Sequence, residues 1–127
     1  MIKDRLRRLY QEAQYLPGPL AAFVNPFYFA RKGLYRHVRA LASEIRGRTL
    51  DVGCGQKPYE SLFPASEYIG LEIDTPENRR QKKADVYYDG KAFPFGREEF
   101  DSVVINEVFE HVFDPDGFLA EVRRVLR

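Results

Sequence analysis

Hydrophobic positions change period once along the chain, and that change divides it into two regions. Ile2, Leu6, Leu9 and Ala13 recur at helical spacing, which predicts an amphipathic helix over residues 2–14. Pro17-Gly18-Pro19 ends it, because neither proline can continue the hydrogen-bond ladder. Asn25-Pro26 then carries the signature of a second helix start, an N-cap residue before a proline at the first helical position. Phe27, Ala30, Leu34, Val38, Leu41 and Ile45 form its apolar stripe, and Gly47 is placed to cap its end. Gly33 weakens this helix by about 1 kcal/mol relative to alanine. His37 lies on the shoulder of the stripe and reads as a partly buried or solvent-facing side chain rather than a functional one.

After Gly47 the period becomes that of strands. Arg48–Val52 is a short candidate running into Gly53-Cys54-Gly55, and Glu67–Ile73 is a second, closed by Asp74-Thr75-Pro76. Ala84–Tyr88 is a third, stopped by Asp89-Gly90. Phe100–Ile105 is a fourth, whose apolar run suits burial on both faces. Asp114-Pro115 opens a helix with Phe118, Leu119, Val122, Val125 and Leu126 on one face. The connections at 56–66 and 75–83 leave room for helices of one or two turns. Strands alternating with such connections predict an α/β fold with a mostly parallel sheet, preceded by N-terminal helices. The division expected is a basic helical arm or lid over residues 1–47 and a sheet domain over 48–127.

Composition narrows the class. A chain of 127 residues with 44% apolar residues, 10 Phe and 8 Tyr can bury a core, which excludes disorder and collagen-like or disulfide-rich architectures. No apolar run approaches the ~20 residues of a membrane span; Pro19–Ala30 comes nearest and is interrupted by Asn25. The basic start is followed by Gln11, Glu12 and Gln14, so no signal-peptide core is seen. A single cysteine fits a reducing compartment, and a cytoplasmic location is expected. Charge is asymmetric: residues 1–48 hold ten Lys/Arg against three Asp/Glu, and residues 49–127 hold ten against sixteen. A basic arm of this kind is a solvated helix surface, is attracted to its own acidic body, or meets an anionic partner.

The candidate chemistry sits at the strand ends, where ligands of open parallel sheets bind. Glycines after the first strand let a backbone approach a ligand closely. Glu72, 17 residues beyond Gly55, has the spacing of an acid that takes ribose hydroxyls, so the ligand reads as a nucleoside. A dinucleotide fits poorly. Pro58 stands where the third glycine of that fingerprint belongs, and Asp51 would place a carboxylate near a pyrophosphate. A nucleoside carrying positive charge would welcome Asp51.

Leu50-Asp51-Val52-Gly53-Cys54-Gly55 and Tyr68-Ile69-Gly70-Leu71-Glu72-Ile73-Asp74 resemble the first two motifs of class I S-adenosylmethionine-dependent methyltransferases. Asp89–Phe95 with Phe100–Val104 is similar to the third block, and Glu107–Val112 with Glu121–Arg127 to the fourth and the helix after it. The resemblance covers about residues 49–127 and implies a Rossmann-like fold and S-adenosyl-L-methionine as cofactor. It further implies that Asp51, Gly53, Cys54 and Gly55 form the loop facing the methionine part. Glu72 would grip the ribose, Ile73 pack near the adenine and Asp74 stand beside it. Asp89 would read the adenine amino group with Gly90 next to it, and Asn106 would lie under the transferring methyl. Cys54 reads as a small filler, Asp85 as a strand-edge carboxylate and Asp101 as a turn residue. His111 and Glu107, four apart, share a face if their stretch is helical and are candidate bases, although a capping or substrate-shaping role is preferred for His111. Glu107, Glu110 and His111 lack the paired histidines of a zinc site, and no metal is expected. No catalytic residue is assigned.

The family's sheet has seven strands, with a further strand after a helix like the one ending here. A fragment of a longer protein is therefore expected, with an apolar fourth-strand edge open to self-association. The acceptor expected is a small molecule, lipid or glycan, not nucleic acid. Phe27, Tyr28 and Phe29 beside Arg31 and Lys32 give the arm either a lid role or a peripheral contact with an anionic membrane or glycan. The alternative to an enzyme is a non-catalytic module that keeps the fold to bind a nucleoside or a partner.

Overall fold

The computed structural model describes residues 5–6, 9–10 and 26–127, and the chain divides into two units, Met1–Ser43 and Glu44–Arg127. The helix expected over 2–14 is helical at its four described positions; its remainder, Pro17-Gly18-Pro19 and Asn25 lie outside the described residues. In the first unit the main element is α1, Tyr28–Leu41. It begins two residues after Pro26, which lies in a turn, and its N-cap, Phe27, makes no side-chain cap. The apolar stripe is narrower than its spacing predicts: Val38 is buried and Leu34 half-buried, while Phe27, Ala30 and Leu41 are exposed. The 3-10 turn Ala42–Glu44 breaks the 3.6-residue period, so Ala42 rather than Leu41 is the buried position there.

Gly47 does not cap this helix. It opens β1 (Gly47–Val52) at φ +63°, where a Cβ would lie 2.2 Å from Asp101 Oδ2. That carboxylate accepts the Arg48 N–H at 2.8 Å, and Ser102 Oγ accepts the Arg46 N–H at 3.0 Å, tying the start of β1 to the start of β4.

The second unit holds four parallel strands: β1, β2 (Ala65–Ile73), β3 (Val86–Tyr88) and β4 (Ser102–Ile105), in the order β3-β2-β1-β4. β1 is therefore internal, and its residues Thr49–Val52 are all buried. The connections are short, as expected. A 3-10 turn, Glu60–Leu62, follows β1, and the six-residue α2 (Pro76–Gln81) follows β2, capped by Thr75, which accepts the Asn78 N–H at 3.0 Å. α3 (Pro115–Val125) starts where Asp114-Pro115 predicts, with Asp114 accepting the Gly117 N–H at 3.1 Å.

Two expectations at this end are corrected. Leu119 is 49% exposed, because the inner stripe of α3 runs through Phe118, Val122 and Val125, one position away around the helix. Leu126 has left the helix and Phe100 precedes the regular strand; the two pair in a parallel bridge, with the Arg127 N–H donating to Phe100 O at 3.0 Å. That bridge lies just before β4.

The core joins Leu50, Val52, Leu71, Phe93, Phe100 and Val125. Phe93 meets Tyr88 and Phe118 edge-on at 5.5 and 5.6 Å. The segment carrying it is fastened to α3: Glu121 accepts the Phe93 N–H at 2.7 Å, and Arg124 donates to the carbonyls of Phe93 and Phe95 at 2.9 and 2.7 Å. Leu50 is fully buried at the sheet centre. Leu50→Ala is expected to cost about 2–5 kcal/mol in urea denaturation, through lost burial and the cavity left behind.

Candidate functional site

The sheet order reverses at β1, so the crevice between the carboxyl ends of β1 and β4 is the topological switch point. Val52 pairs with both Leu71 and Ile105, and Leu71 with Val86. That register levels the ends, bringing Gly53, Glu72 and Asn106 to one row, with Ile73 and Asp89 just beyond.

The loop after β1 lies flat on β2. The N–H groups of Gly53 and Cys54 both donate to Leu71 O, at 2.8 and 3.3 Å. Gly53 takes φ +71°, and a Cβ there would strike Val108 Cγ2 at 2.2 Å; Gly55 takes φ +54°. Beneath the loop, a Cβ on Gly70 would meet Cys54 Sγ and Lys57 Cε at 2.6 Å each, so only glycine at 70 allows this approach.

Glu72 is brought to the loop. Its Oε2 accepts the Gly55 N–H at 3.2 Å and its Oε1 the Ile73 N–H at 3.2 Å, which leaves lone pairs on both oxygens for further donors. Ile73 is 44% exposed, and its Cδ1 lies 3.9 Å from where a Cβ on Gly90 would stand. An apolar surface beside a left-handed glycine thus adjoins the carboxylate (Gly90 φ +83°). Asp89 is exposed, and its Oδ1 accepts the Lys91 N–H at 2.9 Å, holding the turn after β3. Asn106 is half-buried immediately after β4.

Other candidates are placed apart. The Asp74 carboxylate turns to α2, where Arg79 holds it through two bonds of 2.6 and 2.8 Å and lowers its pKa. Arg79 also lies over the Tyr87 ring at 4.8 Å. Glu107 stands at φ +54°, outside the 3-10 turn Phe109–His111, so Glu107 and His111 do not share a helical face.

Asp51 is 5% exposed, and its Oδ2 accepts the Tyr68 hydroxyl at 2.7 Å. Burial pushes its pKa up to about 6, against the opposing pull of the Tyr68 hydrogen bond and the Lys57 charge. Burial and the Asp51 charge push the Tyr68 phenol far above its ordinary range, so it remains the donor. Burial, then the charges of Asp51 and Glu72, pushes the Cys54 thiol up to about 12. At neutral pH that thiol stays protonated, which agrees with a filler and not a nucleophile.

Tyr68 and Lys57 have no role predicted from sequence, and Asp85 has more than the strand-edge one predicted for it. Tyr68 shares a face of β2 with Gly70 and Glu72, and its two-residue spacing from them was the available signal. Lys57, at φ +54°, ion-pairs with Asp85. Asp85, read as a strand-edge carboxylate, also accepts the Gly70 N–H at 2.7 Å; burial works against its charge, but the Lys57 and Gly70 hydrogen bonds outweigh it and lower its pKa. With the Lys83 N–H donating to Gly55 O at 2.8 Å and Gln56 donating to Gln81 O, the segment from the end of α2 to β3 straps the glycine loop in place. No local motif announces that strap.

Residues 50–127 match the family model of a methyltransferase domain. An uncharacterized methyltransferase of Mycobacterium marinum is 32% identical over 122 residues, covering 88% of this chain and 44% of the relative. Protein MJ1123 of Methanocaldococcus jannaschii is 31% identical over 94 residues, covering 71% and 45%. The chain thus spans about half the length of these curated relatives. Among solved structures, an S-adenosylmethionine-dependent methyltransferase of Thermotoga maritima matches with a TM-score of 0.62 at 20% identity, over 98% of this chain and 53% of that one. A chain of the complex between the Haloferax volcanii Trm112 methyltransferase activator and a methyltransferase matches at 0.57 and 22% identity, over 73% and 46%. These two carry the fold.

The buried Asp51 makes a pH signature. Its folded pKa, about 6, exceeds the unfolded 3.8, so between these values the native state binds more protons than the unfolded chain. Stability is expected to fall as pH rises from about 4 to 6, by at most about 3 kcal/mol, and to level above. Asp51→Asn is expected to remove this component, and urea denaturation across that range checks it.

Proposed function

We propose that this chain, which belongs to the methyltransferase-domain family and carries the Rossmann-like fold of class I S-adenosylmethionine-dependent methyltransferases, binds S-adenosyl-L-methionine at the strand ends and serves methyl transfer to a small-molecule, lipid or glycan acceptor. The observation that carries this reading is Glu72. Its carboxylate is held by the Gly55 N–H beside the exposed Ile73 and the Gly90 turn, so a hydroxyl acceptor and an apolar slot adjoin. A ribose and its purine require that pair of environments side by side.

The residues fit the cofactor. Glu72 has lone pairs to accept from the ribose hydroxyls, Ile73 offers the adenine an apolar face, and the Gly90 turn admits close approach. The Gly53–Gly55 backbone faces the amino-acid end, and Asp51, ionised above about pH 6, supplies negative charge to a ligand that carries positive charge. When bound, the cofactor supplies a methyl on a sulfonium, an electrophile that needs no covalent help from the protein. The chain's part is then alignment and exclusion of water, with Asn106 at the end of β4 closing the methyl side. The lone buried Cys54 supports operation in a reducing compartment such as the cytoplasm.

Calorimetric titration with S-adenosylhomocysteine and with NAD tests the reading. Saturable binding of the former alone is expected, weakened about 10- to 100-fold by Glu72→Ala through loss of a charge-assisted hydrogen bond. Equal binding of NAD, or an unaltered variant, contradicts it; binding of neither compound favours a non-catalytic partner module. Asp85→Asn, which releases Lys57 and loosens the glycine loop, is expected to weaken S-adenosylhomocysteine about tenfold. It is expected to change 5′-methylthioadenosine, which lacks the amino-acid end, much less.

A further inference from the structure

α1, in the first unit, concentrates positive charge. The helix carries Arg31, Lys32, Arg36 and Arg39 and no acidic residue. Phe29, Lys32, Arg36 and Arg39 follow one another at i, i+3, i+7 and i+10, which places them on one helical face, and all four are exposed. On the opposite face Leu34 is half-buried and Val38 buried. Phe29 is 84% exposed. Tyr28 links the two chemistries: its ring meets Phe29 edge-on at 5.4 Å and lies 5.7 Å beneath the Lys32 ammonium.

We infer that this face of α1 docks on an anionic lipid bilayer, with Phe29 entering the headgroup region and Lys32, Arg36 and Arg39 pairing with lipid phosphates. Charge complementarity restricts the partner to a polyanion. The aromatic side chain chooses among polyanions. An acidic protein surface, or the outside of a nucleic-acid duplex, satisfies the cations but leaves the Phe29 ring in water. A bilayer interface takes both kinds of side chain at once, since the long cationic stems lie along the surface while the ring sinks to the acyl boundary. The surrounding sequence adds to the field, with ten Lys/Arg against three Asp/Glu over residues 1–48. No helix among the described residues is long and apolar enough to cross a membrane, so the contact inferred lies on the surface. Such docking suits an acceptor that is itself a lipid or lipid-linked glycan, yet it does not depend on cofactor binding.

Co-sedimentation of the full chain with phosphatidylcholine vesicles, with and without phosphatidylglycerol, tests this. Binding is expected only to the anionic vesicles at low salt and is lost near 0.5 M salt, where charges are screened within a few ångströms. Each cation near an anionic surface contributes about fivefold, so Arg36→Gln with Arg39→Gln is expected to weaken partitioning at least about 20-fold. Arg36→Glu with Arg39→Glu is expected to abolish it. Phe29→Ser, which leaves the charge unchanged, is expected to weaken it severalfold. All these residues are exposed, and an unaltered far-ultraviolet circular dichroism spectrum verifies that the variants fold. Absence of binding, equal binding to neutral vesicles, or indifference to the charge variants overturns the inference. So does full retention by Phe29→Ser, which would leave an anionic partner with no apolar interior, or tighter binding to single-stranded RNA than to vesicles, since bases stack on aromatics too.

Discussion

The site depends on one close approach: the loop after β1 rests directly on Gly70 of β2. Cys54 Sγ and Lys57 Cε occupy the volume that any side chain at position 70 would need. From that contact the rest follows. Gly53 and Cys54 share the Leu71 carbonyl, Gly55 reaches the Glu72 carboxylate, and Lys57 passes over β2 to Asp85. If the loop lifted by the width of a methyl group, the carboxylate at the end of β2 would lose the Gly55 N–H and keep only that of Ile73.

The same compactness has a cost that the sheet bears at its centre. Asp51 lies on the internal strand with its neighbours buried, and its elevated pKa records the removal of a carboxylate from water. A hydrophobic residue at 51 would serve stability better. Tyr68 compensates in part through its hydroxyl, and Lys57 through its charge. A carboxylate retained in such a place is consistent with a positively charged ligand, whose approach would return some of what burial takes.

Much of the architecture was legible because each element is punctuated locally. Asp114-Pro115 and Thr75-Pro76 are caps with a mechanism, and both side chains make the expected bonds. The strands are bounded by glycine and acidic turns, so their ends, and with them the strand-end candidates, fall where the pattern puts them. What escaped was non-local. Asp85 read as a strand edge because nothing in its own neighbourhood reveals Lys57, 28 residues away. Gly47 sits after a helix and reads as a cap, while the side chain it lies against is Asp101, at the start of the neighbouring β4. Asp74, expected beside Glu72 at the strand end, is also paired with Arg79, one helical turn into α2, which its own neighbourhood does not announce. Glu107 and His111 seemed paired by helical spacing, and the chain there turns instead of winding.

The chain spans about half the length of its curated relatives, and the ends of β1, β2 and β4 come to one row within it. The central claim is that these ends form one binding surface. Backbone amide chemical shifts of the isotope-labelled chain, followed during titration with S-adenosylhomocysteine, test it most directly. Saturable shifts grouped at Gly53, Gly55, Ile73, Asp89 and Gly90 are predicted, with α3 undisturbed. Shifts that are absent, or that gather around α3 and leave the glycine loop unmoved, would contradict it.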